Sequence, residues 1–407
     1  MPVSTGRRRA VATPIAARMR RLPLLLALAC SAAALARPDA QGPAVGGHVY
    51  LDANANGVRD PGEIGVAGIV VSNQREVTRT DLDGAFQLSS SGTGVVFVSV
   101  PDQHRASGPF WAPARGPLAF GLVRAPAGPS FTFLHASDPH TSPESVARLR
   151  KVRAIAEARR PAFVLMTGDL VKDALRVDER EAAGYYAMYQ AEAAAFPVPV
   201  WSVPGNHENF GIERHLSLVS PRHPLYGKGM YRARLGPTYY SFTYGGVHFI
   251  GLDSVDVSDL WYYGHVDDQQ LAWLRADLAE VPRNMPVVTF NHIPFASASE
   301  AVKGFVEDGA APTTLRVNGR TVFRHVVSNL ADVSAALAGR PWPLALGGHI
   351  HLRETVTFGS PLSTRFEQAA AIVGGGGGVV PARSGVTLYE VVDGRIGDGR
   401  FLPIDER

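Results

Sequence analysis

Apolar and polar positions divide the chain into two regions of different periodicity. Between residues 46 and 124, short apolar runs such as 68–72 and 95–100 are separated by clusters of Asn, Asp and Gly. Runs of this length bounded by turn residues are typical of β-strands, and no helical spacing of apolar residues interrupts them. The pattern predicts a small all-β sandwich domain at residues 44–125.

A Pro/Gly/Ala stretch at 125–129 is followed by a region where apolar runs alternate with helical segments. The spacing predicts one helix over residues 142–159, with Ser142 as its N-cap and Pro143 at its first position, and another over 267–280. Alternating strands and helices favour an α/β layered domain, which we place at residues 130–407.

The first 36 residues have a different character from the rest. They contain arginines but no acidic residue, then an apolar run at 22–29, then small residues with an A-x-A-like cleavage site at Ala34 and Ala36. This order is typical of a secretory signal peptide, and the apolar run is too short for a membrane-spanning helix. Met19 is an alternative start, and a buried N-terminal helix is the structural alternative. We expect a signal peptide at 1–36, a periplasmic or secreted protein, and no transmembrane segment in the mature chain.

The net charge of +3 is due to this N-terminal segment. Residues 1–36 hold six arginines, which leaves 34 basic and 37 acidic groups in the remainder. No basic patch stands out that would follow a phosphate backbone, so we expect no nucleic-acid partner. Cys30, the single cysteine, lies within the predicted signal peptide, so the mature chain is expected to fold without disulfides.

Five apolar runs of the second region share one property, because potential metal ligands follow each of them. The runs lie at 131–134, 163–166, 198–201, 287–290 and 344–346, and the polar residues that follow them in turn are Asp138 and His140, Asp169, Asn206 with His207 and Glu208, His292, and His349 with His351. Open α/β sheets build their sites at the carboxyl ends of buried strands. Residues i and i+2 of an extended chain face the same way, so each D-x-H or H-x-H pair can point at one place. Imidazole, carboxylate and amide ligands together suit Mn, Fe, Zn or Ni.

In this order the blocks resemble the calcineurin-like metallophosphoesterase signature, D-x-H, G-D, G-N-H-[DE], H and G-H-x-H, across residues 131–351. The resemblance implies an α/β fold in which a β-sandwich is flanked by helices. It also implies two divalent transition-metal ions, the first held by Asp138, His140 and His351, the second by Asn206, His292 and His349, with Asp169 bridging both.

The implied reaction is hydrolysis of a phosphate ester by a hydroxide that bridges the two ions. The resemblance gives His207 the task of contacting the phosphate and protonating the leaving oxygen, and gives Glu208 the task of orienting His207. Purple acid phosphatases carry a tyrosine three residues after the bridging aspartate, whereas this chain has Lys172. A tyrosinate-bound ferric site is therefore not expected.

The expected function is that of an exported binuclear phosphoesterase for small-molecule or envelope-associated phosphate esters, with phosphodiesters or a broad range favoured. A phosphomonoesterase and a catalytically inactive surface-binding protein are the alternatives. Lys172, Arg214 and Arg222 are candidates for a second anion contact. The aromatic residues at 261–263 either stack on a substrate ring or belong to the ordinary core.

The N-terminal region carries a second motif that matches D-x-[DN]-x-[DN]-G-x5-E over residues 52–63. The five candidate ligands are Asp52, Asn54, Asn56, Asp60 and Glu63. The spacing is that of an EF-hand calcium loop, but strands rather than helices are predicted on both sides. It resembles Asp/Asn-rich loops in β-sandwich domains of exported bacterial surface proteins, and such domains also accompany exported calcineurin-like phosphoesterases. One calcium ion and a polar hairpin turn at Asn56-Gly57 are both open as interpretations.

Overall fold

A computed structural model describes residues 43–307, 312–358, 363–374 and 382–405. The predicted signal peptide at 1–36 lies outside the described residues. Residues 41–407 form one compact unit. Within the described ranges, no helix combines the length and the apolar character that crossing a membrane requires.

The N-terminal region consists of short strands. They are β1 (Val45–Leu51), β2 (Val70–Ser72), β3 (Val77–Arg79), β4 (Ala85–Leu88), β5 (Val95–Val98), β6 (His104–Ala106), β7 (Trp111–Pro113) and β8 (Leu118–Arg124). They form two four-stranded sheets, in the orders β4-β1-β8-β6 and β3-β2-β5-β7. Apolar residues from both sheets share one core, so the predicted all-β region is confirmed.

The second region mixes strands and helices. Its strands are β9 (Ser130–Ala136), β10 (Val164–Thr167), β11 (Val200–Val203), β12 (Tyr240–Tyr244), β13 (Val247–Gly251), β14 (Val255–Ser258), β15 (Trp261–Gly264), β16 (Val287–Phe290), β17 (Thr314–Val317), β18 (Arg320–Phe323), β19 (Leu344–Gly347), β20 (Glu354–Thr357), β21 (Arg365–Gln368), β22 (Gly385–Val392), β23 (Arg395–Ile396) and β24 (Arg400–Pro403). Its helices are α1 (Val146–Arg159), α2 (Glu179–Ala194), α3 (Arg214–Ser217), α4 (Gly229–Arg234), α5 (Asp268–Ala279), α6 (Ala298–Lys303) and α7 (Leu330–Ala336).

Two six-stranded sheets form the centre of this region. The first has the order β11-β10-β9-β22-β23 with β24 also paired to β22, and the second has the order β12-β13-β16-β19-β21-β20. β9, β10 and β11 run parallel to one another, as do β13, β16, β19 and β21. The predicted α/β fold with its sandwich of sheets is confirmed, and the parallel strands bring their carboxyl ends to common edges.

The first sheet has apolar packing on both faces at its centre, which explains the continuous apolar run in β10. Phe133 of β9 packs in the core that also contains the second sheet, whereas its neighbour Leu134 packs in the core that contains α1 and α2. The same division separates Leu165 from Val164 and Met166 in β10. Successive residues of a strand point to opposite faces, so each apolar run joins two layers.

The predicted helix over 267–280 is confirmed as α5, with the Asp267 carboxylate accepting a hydrogen bond from the Gln270 amide. The regular part of the first helix begins later than predicted, at Val146 with Ser145 as its N-cap, although the Ser142 hydroxyl accepts from the Ser145 amide at 3.3 Å and the Ser142 carbonyl accepts from the Val146 amide at 2.9 Å. The Ser145 hydroxyl donates to the His140 carbonyl at 2.5 Å and accepts from the Ser142 amide at 3.0 Å. The polar residues predicted to open the helix are therefore part of a turn that holds the preceding loop in place.

The N-terminal β region packs directly on the second region. The side-chain amide of Gln74 donates to the Tyr239 backbone carbonyl at 2.8 Å, and the Tyr239 hydroxyl donates to the Gln74 backbone carbonyl at 2.6 Å. The Phe97 ring lies edge-on to Trp273 at 6.3 Å, and the Val100 carbonyl accepts from the Thr243 amide at 2.9 Å. One hydrophobic core runs through both regions.

Candidate metal centre

Every metal ligand predicted from the sequence lies just beyond the carboxyl end of a parallel strand. Asp138 and His140 follow β9, Asp169 follows β10, and Asn206 follows β11 in the first sheet. His292 follows β16 in the second sheet, and the pair His349 and His351 follows β19. The two parallel sets of strands therefore supply ligands from two sheets to one place.

The first group of ligands brings together Asp138, His140, Asp169 and His351. His140 Nε2 lies 3.3 Å from His351 Nε2 and 3.6 Å from Asp169 Oδ2. His351 Nε2 lies 3.2 Å from Asp138 Oδ1. Ligand atoms about 2.0–2.2 Å from a common ion in a tetrahedral arrangement lie about 3.3–3.6 Å apart, so the group has the spacing of a coordination shell.

The second group brings together Asp169, His292 and His349, with Asn206 beside them. His292 Nε2 lies 3.2 Å from Asp169 Oδ1, 3.2 Å from Asn206 Oδ1 and 3.1 Å from His349 Nδ1. His292 Nδ1 donates to the Thr167 carbonyl at 2.7 Å, which turns the Nε2 lone pair of a neutral ring towards these atoms. The four ligand atoms thus face one point.

Asp169 belongs to both groups through different oxygens. Its Oδ1 faces His292, and its Oδ2 faces His140. Asp169 is buried, and its Oδ1 also accepts a hydrogen bond from the His207 amide at 3.0 Å. This geometry supports the bridging role that the resemblance implies.

The surroundings of Asp138 Oδ1 indicate whether these residues suit a cation. Within the described residues, Asp138 Oδ1 accepts no hydrogen bond, although it is buried and faces His351. Its other oxygen accepts the His349 amide at 3.1 Å. A buried carboxylate oxygen without a partner is costly, and a bound cation would satisfy it together with the imidazole lone pairs around it. The donor set therefore fits a divalent ion.

The backbone around the ligands is strained. Ligands in the left-handed region are Asp138 (φ 54°), His140 (φ 41°), Asp169 (φ 47°), His349 (φ 71°) and His351 (φ 58°). Residues other than glycine pay about 1–2 kcal/mol for this conformation. The surrounding fold offsets that cost, which is typical of functional sites.

The pKa values of the buried aspartates and of His292 are set by the contacts between these carboxylates and imidazoles. Burial opposes ionisation of Asp169, but the charges of His292 and His207 outweigh burial and hold the pKa of its carboxyl well below its usual range. Burial likewise opposes ionisation of Asp138, and His351 outweighs it, so that pKa is also lowered. Burial would lower the pKa of His292, but Asp169 raises it to about 9. Because ligation needs an unprotonated nitrogen, an entering cation must displace this proton, and its affinity falls as the pH falls.

His207 stands beside the centre rather than within it. Its Nδ1 donates to the Lys172 carbonyl at 2.6 Å, and its Nε2 lies 3.9 Å from Asp169 Oδ2. The ring meets the His140 ring edge-on at 4.6 Å, and His140 Nδ1 donates to the same Lys172 carbonyl at 3.4 Å. One backbone carbonyl therefore orients a metal ligand and the predicted acid, and Nε2 of His207 is left facing the site.

The role implied for Glu208 was wrong. Its carboxylate accepts hydrogen bonds from the Val171 amide at 3.0 Å and from the Gly205 amide at 2.5 Å, and Lys172 rather than Glu208 orients His207. Burial, together with the charge of Asp169, raises the pKa of Glu208 to about 8. Glu208 ties the loop after β10 to the loop after β11, so it positions Asp169 and Asn206 indirectly.

The candidates for a second anion contact are mostly engaged elsewhere. The Lys172 ammonium lies 3.4 Å from Glu144, and Arg214 pairs with Asp259. Of the aromatic candidates, Tyr262 lies closest to the ligands, with its ring edge-on to His349 at 5.7 Å. Sequence reasoning missed His325, whose Nδ1 lies 2.7 Å from His349 Nε2. No motif surrounds His325 in the sequence, so only the fold reveals it.

The loop at 52–63 is closed by its own hydrogen bonds. The buried Asp52 carboxylate accepts from the Asn56 and Gly57 amides, and both side-chain amides of Asn54 and Asn56 donate to Asp60. Glu63 accepts from the Ala53 amide at 2.8 Å. Within the described residues, groups of three or more carboxylate or imidazole ligands occur at the strand ends and not in this loop. Calcium binding here stays a prediction.

Comparison with known proteins gives the family. The sequence model of the calcineurin-like phosphoesterases matches residues 131–353, more than half of the chain. The chain therefore belongs to the calcineurin-like phosphoesterase family and is a metal-dependent hydrolase of phosphate esters. It is 27% identical over 249 residues to a protein named "Probable cyclic nucleotide phosphodiesterase" from Rhodococcus erythropolis, a match that covers 58% of this chain and 70% of that protein.

Two further similarities are narrower. A segment of 71 residues is 41% identical to part of a serine-aspartate repeat-containing protein F from Staphylococcus epidermidis, covering 16% of this chain and 4% of that protein. A solved dimetal phosphatase from Danio rerio aligns with 68% of this chain and 97% of its own, with 17% identity and a TM-score of 0.45. Neither similarity carries weight here, and the fold assignment rests on the sheet topology and the family match.

Proposed function

We propose that the chain is an exported binuclear phosphoesterase whose preferred substrates are small phosphodiesters. The observation that carries the proposal is the pair of ligand groups that share Asp169, with the Nε2 atom of His207 turned towards them. Asp138, His140 and His351 would hold one ion, and Asn206, His292 and His349 the other. Two such ions supply a water of lowered pKa and neutralise phosphate oxygens.

The side chains of the protein supply the remaining parts of the reaction. Asp169 would be the ligand common to both ions, because its two oxygens face different ligand groups. His207 is held by its Nδ1–H on the Lys172 carbonyl, so its Nε2 is available to contact the phosphate and to give a proton to the leaving oxygen. Burial and hydrogen bonds hold Asp169 and His292 in position before the ester binds.

Two observations support diesters over monoesters. A monoester dianion carries one more negative charge than a diester, and among the described residues the Arg176 guanidinium is paired with Asp173 and Glu213 at 3.0 and 2.6 Å, which makes it less available for that charge. The Rhodococcus relative is named as a probable cyclic nucleotide phosphodiesterase. Small phosphodiesters, including cyclic nucleotides, are therefore the first substrates to test. Envelope-associated esters come next, since they would follow from export.

The ligand set supports Mn, Fe, Zn or Ni as the ions. Four imidazoles, from His140, His292, His349 and His351, are combined with carboxylates and one amide oxygen. Borderline cations prefer such a set, while Mg and Ca prefer oxygen alone. A calcium ion, if one binds, belongs to the N-terminal loop and not to this centre.

The decisive experiment is a rate measurement on the purified protein stripped of metal. Mn, Zn, Ni and Fe are supplied separately, and bis(p-nitrophenyl) phosphate, p-nitrophenyl phosphate and cyclic nucleotides are compared. We expect hydrolysis only with added metal, two ions per chain, and a higher kcat/KM for diesters. Activity that survives complete chelation would overturn the binuclear mechanism, and a higher kcat/KM for monoesters would overturn the substrate preference. Two ions without hydrolysis of any ester would favour the surface-binding alternative.

Export rests on the sequence of residues 1–36, and its test is separate. Expressed in a bacterial host, the full chain should be found in the periplasm or medium with a new amino terminus at Arg37, read by mass spectrometry. An uncleaved chain confined to the cytoplasm would contradict this part of the proposal.

A further inference from the structure

His325 contacts one of the predicted metal ligands on the side away from the ions. Its Nδ1 lies 2.7 Å from His349 Nε2, and the two rings are inclined by 24°. His349 Nδ1, on the opposite side of the same ring, lies 3.1 Å from His292 Nε2 and faces the second ligand group. The His349 ring therefore has one nitrogen for the ion and one for His325.

Two imidazole nitrogens at this distance must share one proton, and the ligand group decides which ring carries it. An ion takes the Nδ1 lone pair of His349, which leaves the proton of the neutral ring on Nε2. His349 Nε2–H then donates, and Nδ1 of His325 must accept. His325 is consequently the tautomer with its own proton on Nε2.

The segment that carries His325 is fixed on both sides. The buried guanidinium of Arg324 donates to the Tyr262 carbonyl at 3.3 Å and lies over the Tyr262 ring at 4.4 Å. On the other side, the Val327 amide donates to the Pro294 carbonyl at 2.9 Å, and the Ser328 amide donates to the Gly264 carbonyl at 2.8 Å. The acceptor is therefore set in position by the fold rather than by chance contact of two exposed rings.

We propose that His325 is a positioning residue for the second ion. By accepting the proton of His349 Nε2, it selects the tautomer in which Nδ1 is free to bind and fixes the orientation of the ring. Partners of this kind contribute about 10–100-fold to metal affinity. The proposal rests on the proposed function only in requiring that the centre binds two ions.

The test compares two substitutions of His325 that keep most of its volume. Asn carries an oxygen close to the position of Nδ1 and can accept, whereas Phe keeps the ring and cannot. The affinities of both ions are measured in the whole protein by competition with a chromophoric chelator. In His325→Phe we expect one ion to bind as in the unchanged protein and the other about 10–100-fold more weakly. His325→Asn should stay within a few-fold of the unchanged protein.

Several results would overturn the proposal. One is a His325→Phe variant that binds both ions with unchanged affinity, and another is a His325→Asn variant that loses as much affinity as the Phe variant. A separate test uses the unchanged protein and determines the tautomer of His325 directly. In the Zn-loaded protein with ¹⁵N-labelled histidine, long-range ¹H–¹⁵N spectra should show the proton of His325 on Nε2, and a proton on its Nδ1 contradicts the assignment. If the unchanged protein binds fewer than two ions, the proposed function itself fails, and the two failures are thereby distinguished.

Discussion

Gly205 makes room for Asp169, the proposed bridging ligand, and replacing Gly205 with alanine should weaken the binding of both proposed ions. A Cβ atom at Gly205 would lie 2.2 Å from Asp169 Oδ1 and 2.3 Å from the Asp169 amide nitrogen. Ordinary non-bonded contacts are at about 3.5 Å, so the two loops must separate by about 1 Å. The φ angle of Gly205 is not in the left-handed region, so the effect is steric and not a backbone preference.

Asp169 cannot easily yield to this contact. Its Oδ1 accepts the His207 amide, and its carbonyl accepts the His140 amide at 2.9 Å. Overpacking of this kind costs about 1–3 kcal/mol of folding stability. A displacement of about 1 Å in a catalytic group costs about 10²-fold in rate. For Gly205→Ala we therefore expect a lower melting temperature in chelator, weaker retention of both ions, and about 10²-fold slower hydrolysis of the best diester.

Gly184→Ala is the matched control. Gly184 lies within α2, and nothing lies within 4 Å of a Cβ added there. Alanine in a helix interior is favoured over glycine by about 0.5–1 kcal/mol, so this variant should melt slightly higher with unchanged metal content and rate. Metal content is measured by elemental analysis after gel filtration. A Gly205→Ala protein with two ions and full activity would show that the loops are not as closely packed as described.

Three other predictions follow from the site and the N-terminal loop. Asp169→Asn should abolish hydrolysis and reduce elemental metal content below two ions per chain, since one of its oxygens faces each ligand group; two retained ions would refute the bridge. His207→Ala should keep both ions but lose about 10²–10⁴-fold in rate on substrates with basic leaving groups and less on acidic ones, and an equal loss on both series would leave His207 only a phosphate contact. Millimolar calcium should raise the melting temperature of the whole chain, since calcium at 100 times Kd adds about 2.7 kcal/mol to the free energy of unfolding, and Glu63→Gln should remove the rise. Melting that is indifferent to calcium would leave the polar turn as the correct interpretation.

The sequence alone was sufficient to predict which side chains the fold brings together at the candidate metal centre, for a physical reason. Each ligand block follows an apolar run, and three of these runs, at 163–166, 287–290 and 344–346, are apolar because their strands are buried on both faces. Strand positions such as 287–290 and the helix at 267–280 could be placed because burial and capping leave local patterns. Parallel strands in a common sheet then bring these ends together without further information.

Other features depended on contacts between residues far apart in the chain. Ser142 was predicted to open the first helix, but it lies in the turn before α1, where the Ser145 hydroxyl donates to the His140 carbonyl. The roles of Lys172 and Glu208 were missed because both depend on backbone groups. The Lys172 carbonyl orients His207, and the Val171 and Gly205 amides donate to Glu208. Every residue has a backbone carbonyl, and nearly every residue has an amide, so residue type does not reveal such contacts.

His325 illustrates the same limit most clearly. It lies 24 residues before His349 in a segment without any motif, and its Nδ1 reaches His349 only because the segments around Tyr262 and Pro294 hold it there. The sequence by itself determined which side chains can bind metal. An apolar run followed by polar residues marks a buried strand and its end, and this pattern lies within a few consecutive residues. The tertiary structure decided which nitrogen of each imidazole faces the candidate metal centre. That choice depends on the hydrogen bond made by the other ring nitrogen, whose partner comes from elsewhere in the chain.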